Sequence, residues 1–428
     1  MFQKNIPLLS LNQIWKQKYY PWLICFSGLL TLVVVNGLTT TSLSVFDKAF
    51  LNEFNWSRDE LKLRESVTNG VTLFFIFISG VIIDRIRVKK MLLLGTLTLT
   101  ITLVSYSFIH NKSEAYLAHF FLGISMITAG SVSCIILVSS WFYQKKGLAL
   151  GLVLVGTSLG SAIFSPLNSY LLHHFGWRQS FLILAIFPFF TFFYILFLVK
   201  NSPSEIGIVA LGEDKSESKQ ETIELIQQGM TYQQATKTHL FWLICICGFC
   251  TFYSLVGTIA NAFLHMVGLG LTEQDASYYL TIYFLIAGLG KIFISIFSDY
   301  INANIVFSIC CLTMILGILG FWTMNLTYII PAIILLAISW GGIYSLYNII
   351  TVKSFGLKEA GKINGTISMF EGGGAFLGPF FTAKLFNVDH SYQFPFMLNA
   401  VLMLFVFIIS IKFKSYIQKL DKIAFSNV

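Results

Sequence analysis

A lysine interrupts the apolar run YFLIAGLGKIFISIFSDY, residues 283–300, and an aspartate closes it. An ammonium at the centre of a membrane-length helix costs about 2.5–3.5 kcal/mol on insertion scales. Lys291 is therefore expected to face a watery cavity, an anion or a carboxylate partner. Snorkelling towards Asp299 is the competing reading, but the two positions lie about 12 Å apart along a helix axis and the side chain covers only part of that. A second isolated charge, Glu371, sits in ISMFEGGGAFLGPF ahead of three glycines that let helices approach closely. Three uses of the two charges stay open. They can form a fixed ion pair, Glu371 can carry a proton, or Lys291 can take the carboxylate of a guest while Glu371 takes its ammonium.

Other polar groups stand in apolar surroundings. His265 in NAFLHMVGLG and His119 carry the side chain type that ordinarily titrates near neutrality. Asn36, Asn261 and Asn348, with Thr39, Thr40 and Thr41, either line a cavity or bond a neighbouring helix. Arg64 and Glu65 lie within a turn of the end of a second apolar run, where solvation at the membrane surface is the expectation and Glu65 is a reserve proton site. Trp141 and Tyr143 read as interface anchors. Cys247 and Cys250 have metal-like spacing, but no second ligand pair follows; the cysteines read as small packing residues. GLKEAGKI (356–363) has the glycine and lysine spacing of a phosphate loop, yet ends in Ile and joins two apolar runs without a preceding strand. No H-E-x-x-H occurs and nothing resembles an ATP-binding domain, so no enzyme, metal or cofactor is expected.

The elements that must hold these groups follow from composition. The chain has 428 residues, of which 56% are hydrophobic and only 11% charged, against about 25% charged in a soluble domain. Apolar runs long enough to span recur at 22–46, 62–83, 91–110, 115–142, 148–173, 179–199, 240–264, 276–299, 304–324, 328–352, 361–386 and 393–412. Each is predicted to be a helix, because an open strand edge cannot satisfy its backbone in hydrocarbon. Lys and Arg concentrate in alternate loops: Arg85, Arg87, Lys89 and Lys90, then Lys145 and Lys146, then Lys353, Lys358 and Lys362, and both ends of the chain. That asymmetry puts both termini on the cytoplasmic side. It also accounts for the net charge of +8 without a nucleic-acid surface. MFQKNIPLLSLNQIWKQKYY is too polar for a signal core and reads as a cytoplasmic tail.

The longest polar interruption, about 201–238, divides the runs six and six. The expected organisation is a tail (1–21), a first bundle (22–200), a linker with a short surface helix around TIELIQQGMTYQQA (201–238), a second bundle (239–414) and a tail (415–428). Thr231 and Gln234 suit a capping box. The halves echo one another: GVIIDRIRVKK (80–90) and GKIFISIFSDYINAN (290–304) each end a helix with Asp. Such internal symmetry marks transporters whose site lies between the halves near mid-membrane.

Asp84-Arg85 after Gly80 resembles the inner-loop motif of the major facilitator superfamily. SVFDKAFLNEFNWSR, WFYQKKGLALGLVLVGTSLGSAIFSPL, HHFGWRQSFLILA, KNSPSEIGI, FGLKEAGKINGTISMFEGGGAFLGPF and LFNVDHSYQFPF, in this order, resemble its monocarboxylate transporter and oxalate–formate antiporter branch. The resemblance implies an all-α membrane protein of twelve helices in two pseudo-symmetric bundles. It implies that Lys291 matches a cation that binds substrate carboxylate, that Glu371 stands where the oxalate–formate branch has a second cation, and that His265 matches a frequent histidine of the branch. Asp84 and Arg85, with Asp299 as counterpart, would form the inner gate. The acidic first-span signature of animal monocarboxylate carriers is absent, and His119 stands where many members carry Arg.

The expected function is secondary active transport of a small organic anion across the cytoplasmic membrane. Protons or an exchanged solute would supply the energy, and a monomer in the bilayer would be the working unit. The expected substrate contacts are Lys291, Glu371, His265, Asn261 and Asn36, with proton coupling at Glu371 or Glu65. The alternatives are transport of an amino acid or a carboxylate-rich metabolite such as a siderophore, or a membrane sensor that moves nothing.

Overall fold

The computed structural model describes residues 11–85, 87–212, 229–356 and 358–425; the side chains of 11–16, 76–85, 295–296, 298–299, 344–345 and 412–425 lie outside that description. The backbone is helical almost throughout, and only isolated bridges interrupt it among the described residues. The first half comprises α1 (Leu11–Thr39), a 3-10 turn (Thr41–Phe46), α2 (Asp47–Phe54), α3 (Arg58–Arg85), α4 (Val88–Tyr106), α5 (Lys112–Ala129), α6 (Ser131–Ser139), α7 (Lys146–Leu184) and α8 (Ile186–Leu198). After the short α9 (Tyr232–Thr236) come α10 (His239–Gly268), α11 (Glu273–Tyr300), α12 (Ala303–Trp322), α13 (Ile329–Phe355), α14 (Ala360–Asp389) and α15 (Gln393–Phe425).

Nine stretches of the described residues are long and apolar enough to cross a membrane. One of them, Lys146–Leu198, has 53 residues, about 80 Å of helix against a hydrocarbon core of about 30 Å. It holds two passes, broken at Gly176, whose φ of 71° and ψ of 166° no helix contains. α3 and α14 have the length of a pass but are not among these nine: the side chains of the last ten residues of α3 lie outside the description, and the FEGGG run interrupts α14. With these the chain makes twelve passes, the all-α membrane architecture expected.

Two boundaries differ from the sequence reading. The first pass ends at Thr39, and residues up to Phe54 fold into the 3-10 turn and α2, which stops where Asn55 adopts a φ of 51°. The fourth pass breaks at Gly130 into α5 and α6. Trp141, expected at the interface, is fully buried, whereas Tyr143 is exposed. All seven cysteines are buried and free.

Each bundle is built on a close crossing of its first and fifth passes. A Cβ at Gly160 of α7 would lie 2.2 Å from the Val33 carbonyl oxygen of α1. A Cβ at Gly374 of α14 would lie 2.2 Å from that of Phe249 on α10. The first bundle holds the start of the linker, where Leu211 receives the Tyr143 and Gln144 N–H groups, each at 3.0 Å. The second holds its end: Met230 N–H donates to the Phe355 carbonyl at 2.7 Å, and Tyr232 N–H to Glu359 Oε2 at 2.5 Å. The Thr231–Gln234 capping box is formed. The bundles meet along two seams, α3 against α14 and α7 against α11.

Candidate functional site

Three helices bring polar side chains to one level of the seams. Thr272 caps α11 by accepting from Asp275 N–H at 3.0 Å. Lys291 lies nine residues before the end of that helix, about 14 Å along its axis. Thr157 and Glu371 each lie eleven residues after the start of α7 and α14, about 17 Å in. All three are therefore near mid-membrane. Lys291 and Glu371 keep some accessible surface at that depth.

Lys291 Nζ reaches across the seam. It donates to Thr157 Oγ1 at 2.5 Å and to Ser158 Oγ at 2.9 Å, both on α7 of the other bundle. The ammonium thus points into the interface rather than along α11. Among the described residues no ion pair joins Lys291 to Glu371. Glu371 lies against α10, where a Cβ on Gly248 would stand 3.1 Å from Glu371 Cγ.

Among the described residues the seams open towards the face on which the chain begins and ends. Ser158, Gly151 and Gly147 share one face of α7, two and three turns apart. A Cβ at Gly288 of α11 would come within 3.3 Å of Ser158 Cβ, whereas one at Gly151 or Gly147 meets no described atom within 4 Å. The other seam repeats this. A Cβ at Gly372 would lie 2.9 Å from Leu73 Cδ1 of α3, and one at Gly365 or Gly361, on the same face of α14, meets none. Towards the opposite face both seams are shut. Asn69 Nδ2 donates to the Ala375 carbonyl at 3.1 Å and Asn387 Nδ2 to Asp59 Oδ1 at 2.6 Å. Arg58 donates to Tyr392 Oη at 2.8 Å with its guanidinium 3.8 Å from the Phe386 ring centre. Lys48 pairs with Glu273 at 2.9 Å. Among the described residues the result is a cleft closed at one face and open at the other, with Lys291 near its apex.

A second polar cluster lies inside the first bundle. Asp47 of α2 receives Lys62 Nζ at 2.5 Å and the Arg64 guanidinium. Lys62 also donates to Glu65 Oε1 at 2.5 Å, and Arg64 to Tyr106 Oη at 3.0 Å. His119 continues the chain from Tyr106 (3.2 Å) to Thr68 (2.8 Å). The side chains of Asp47, Lys62 and Arg64 are 0% exposed and that of Glu65 13%. This corrects the expectation that Arg64 and Glu65 are solvated at the membrane surface: α2 folds back and supplies Asp47 to them.

The remaining sequence candidates fall elsewhere. Asn261 is buried, with its Nδ2 on the Gly257 (2.8 Å) and Pro379 (3.3 Å) carbonyls and its Oδ1 accepting from Tyr392 Oη at 3.3 Å. His265 is buried in an aromatic box of Phe321, Tyr392 and Phe396. Asn36 is buried on α1, and its Nδ2 has no partner among the described residues. The side chains of Asp84, Arg85 and Asp299 lie outside the described residues. Thr157, Ser158 and Asp47 escaped the sequence reading. The small residues Gly147, Gly151 and Ser158, spaced to share a helix face, were the available signal for the first seam; Asp47 had none.

The sequence matches the family model described as Major Facilitator Superfamily over residues 29–379 and 244–422. Human monocarboxylate transporter 6 is 30% identical over 159 residues, covering 36% of this chain and 31% of that protein. The riboflavin transporter RibJ of Trypanosoma brucei brucei is 30% identical over 174 residues, 39% of this chain and 31% of that one. An MFS-type transporter of Gibberella moniliformis is 27% identical over 305 residues, 68% of this chain and 66% of that one. The matched region is thus less than two thirds of the length of each relative. A solved structure of a bacterial homologue of the human lysosomal transporter Spinster, inward-facing and unoccupied, superposes with a TM-score of 0.69. It covers 94% of this chain and 98% of that one at 13% identity, a likeness of fold.

Proposed function

We propose that this chain, which belongs to the major facilitator superfamily, moves a small carboxylate-bearing solute across the cytoplasmic membrane by alternating access, coupled to protons. The termini face the cytoplasm, as the lysine and arginine distribution favours. The carrying observation is the Lys291 ammonium at the apex of the cleft, bonded across the seam to Thr157 and Ser158. A cation there lies within reach of both bundles and of the open mouth, so an anion drawn to it touches the part of the molecule that must rock. The relatives named monocarboxylate transporters support the anion class. Glu371, at the same depth but on the other seam, is the leading proton carrier, and Glu65, the accessible member of the buried cluster, is the second.

In this cycle Glu371 takes a proton and Lys291 takes the carboxylate. The loaded carrier turns, and release of both resets it. The zwitterion alternative has one observation of its own: Lys291 and Glu371 are not spent on each other, so a guest with both charges could engage both.

The experiment is uptake of labelled L-lactate and pyruvate into proteoliposomes with and without an imposed pH gradient. Lys291→Gln is expected to lower kcat/KM about ten- to a hundredfold, the effect of removing a charge-assisted hydrogen bond of about 1.5–3 kcal/mol. Glu371→Gln is expected to retain exchange of solute for solute while losing accumulation driven by the gradient. Wild-type accumulation by Glu371→Gln would move the coupling role elsewhere, with Glu65→Gln the next variant. Wild-type uptake by Lys291→Gln would end the anion reading.

A further inference from the structure

The two α7 hydroxyls that receive Lys291 are not equivalent. Thr157 accepts the ammonium at 2.5 Å and donates its own proton to the Leu154 carbonyl at 2.7 Å, so both its roles are filled. Ser158 accepts the ammonium at 2.9 Å, and its proton has no acceptor among the described residues. The Ser158 side chain is 1% exposed, covered by the ammonium and by the close approach of Gly288. A hydroxyl carries one donor and two acceptor lone pairs. A buried hydroxyl beside a cation, its donor still to be used, is complementary to a carboxylate, which only accepts.

We infer that Ser158 is a solute-contacting residue that donates to the guest carboxylate beside Lys291, and that Thr157 is a positioning residue that holds the ammonium in the seam when the cleft is empty. This rests on the reading of Lys291 as the anion-binding group. Among the described residues the face of α7 below Ser158 is open at Gly151 and Gly147, so solute arriving from the mouth meets the ammonium from that side. As Lys291 Nζ turns to the carboxylate it uncovers Ser158, whose O–H then reaches the same group. The site is thereby shared between the bundles, the cation from one and the hydroxyl from the other. A carboxylate can accept from both. A neutral amide of the same shape presents one acceptor and a donor that faces the ammonium, so Ser158 acts as a specificity determinant.

The test measures L-lactate and pyruvate uptake, solute exchange and competition by lactamide in proteoliposomes, with the melting temperature of each variant as a folding control. Ser158→Ala is expected to raise KM about five- to tenfold with kcat nearly unchanged. Ser158→Thr, which restores a hydroxyl, is expected to recover most of the loss. Thr157→Val is expected to slow net uptake several-fold, because net uptake needs the empty carrier to return, while exchange between loaded carriers stays near wild type. A wild-type KM for Ser158→Ala, or no recovery by Ser158→Thr, would overturn the role of Ser158. Equal loss of exchange and net uptake in Thr157→Val would overturn that of Thr157. If Lys291→Gln impairs transport while the α7 variants do not, this inference alone falls. If the wild type moves neither anion, the anion reading falls and takes the inference with it.

Discussion

Asp47 holds two cations in a place where water does not reach, and its removal leaves Arg64 without a carboxylate and Lys62 with Glu65 alone. A buried ion pair gains little over well-packed apolar groups, but breaking one by deleting a single partner costs about 3–5 kcal/mol. Asp47→Asn is therefore expected to lower the melting temperature of the detergent-solubilised protein far more than Glu65→Gln, whose carboxylate is partly exposed and serves only Lys62. Equal effects of the two would show that the cluster is wetter than its geometry. The contrast with Lys291 shows what could be read in advance. A lone ammonium in an apolar run is conspicuous, and its depth followed from counting residues. Thr157 and Ser158 were not conspicuous, because hydroxyls in membrane helices commonly bond their own backbone, as Thr96, Thr100 and Thr102 do here. Arg64 was misplaced because RDELKLRE reads as a wet helix start, and nothing local shows that α2 returns to bury it.

At the scale of elements, glycine positions divide into those that bring helices together and those that border the cleft. Gly374 and Gly365 are on the same helix, α14, but an added methyl group meets the Phe249 carbonyl at 2.2 Å in one case and no described atom in the other. Gly374→Ala must push α14 from α10 and is expected to cost about 1–3 kcal/mol, the usual penalty of overpacking. Gly365→Ala is expected to stay within about 0.5 kcal/mol of wild type. Thermal unfolding of the pair checks this, and a destabilised Gly365→Ala would mean the cleft is filled there. The passes themselves were legible, since hydropathy and length suffice for a helix in hydrocarbon. Their ends were less so. The segment after Thr39 stays apolar enough to extend the first pass on paper, while the chain has already turned into the 3-10 segment and α2.

At the scale of the molecule, the register that superposes Asp84 on Asp299 also superposes Leu73 on Gly288 and, within one residue, Gly372 on Ser158. The two seam contacts, Leu73 with Gly372 and Gly288 with Ser158, are therefore copies of one another with the small residue exchanged between sides. Within the same register Thr157 corresponds to Glu371, so two related positions carry a hydroxyl on one seam and a carboxylate on the other. The sequence showed the symmetry in its inner-loop motifs; which helices faced which across the seams required the packed structure. If the closed face must part for turnover, Cys substitutions of Asp59 and Asn387 joined by a short bis-thiosulfonate should stop uptake, and reduction should restore it. Continued transport by the linked protein would mean that the bundles do not separate there.

Under the proposed transport cycle, the clasp of Arg58 between Phe386 and Tyr392 would make the carrier lopsided at rest. Solute on the clasped side finds a binding-competent mouth only in the fraction of molecules that have let go, and its affinity is diluted by that fraction. Solute on the other side meets the apex directly. One site thus presents two half-saturating concentrations, with maximal rates scaled by the same factor, so that the difference does no work of its own.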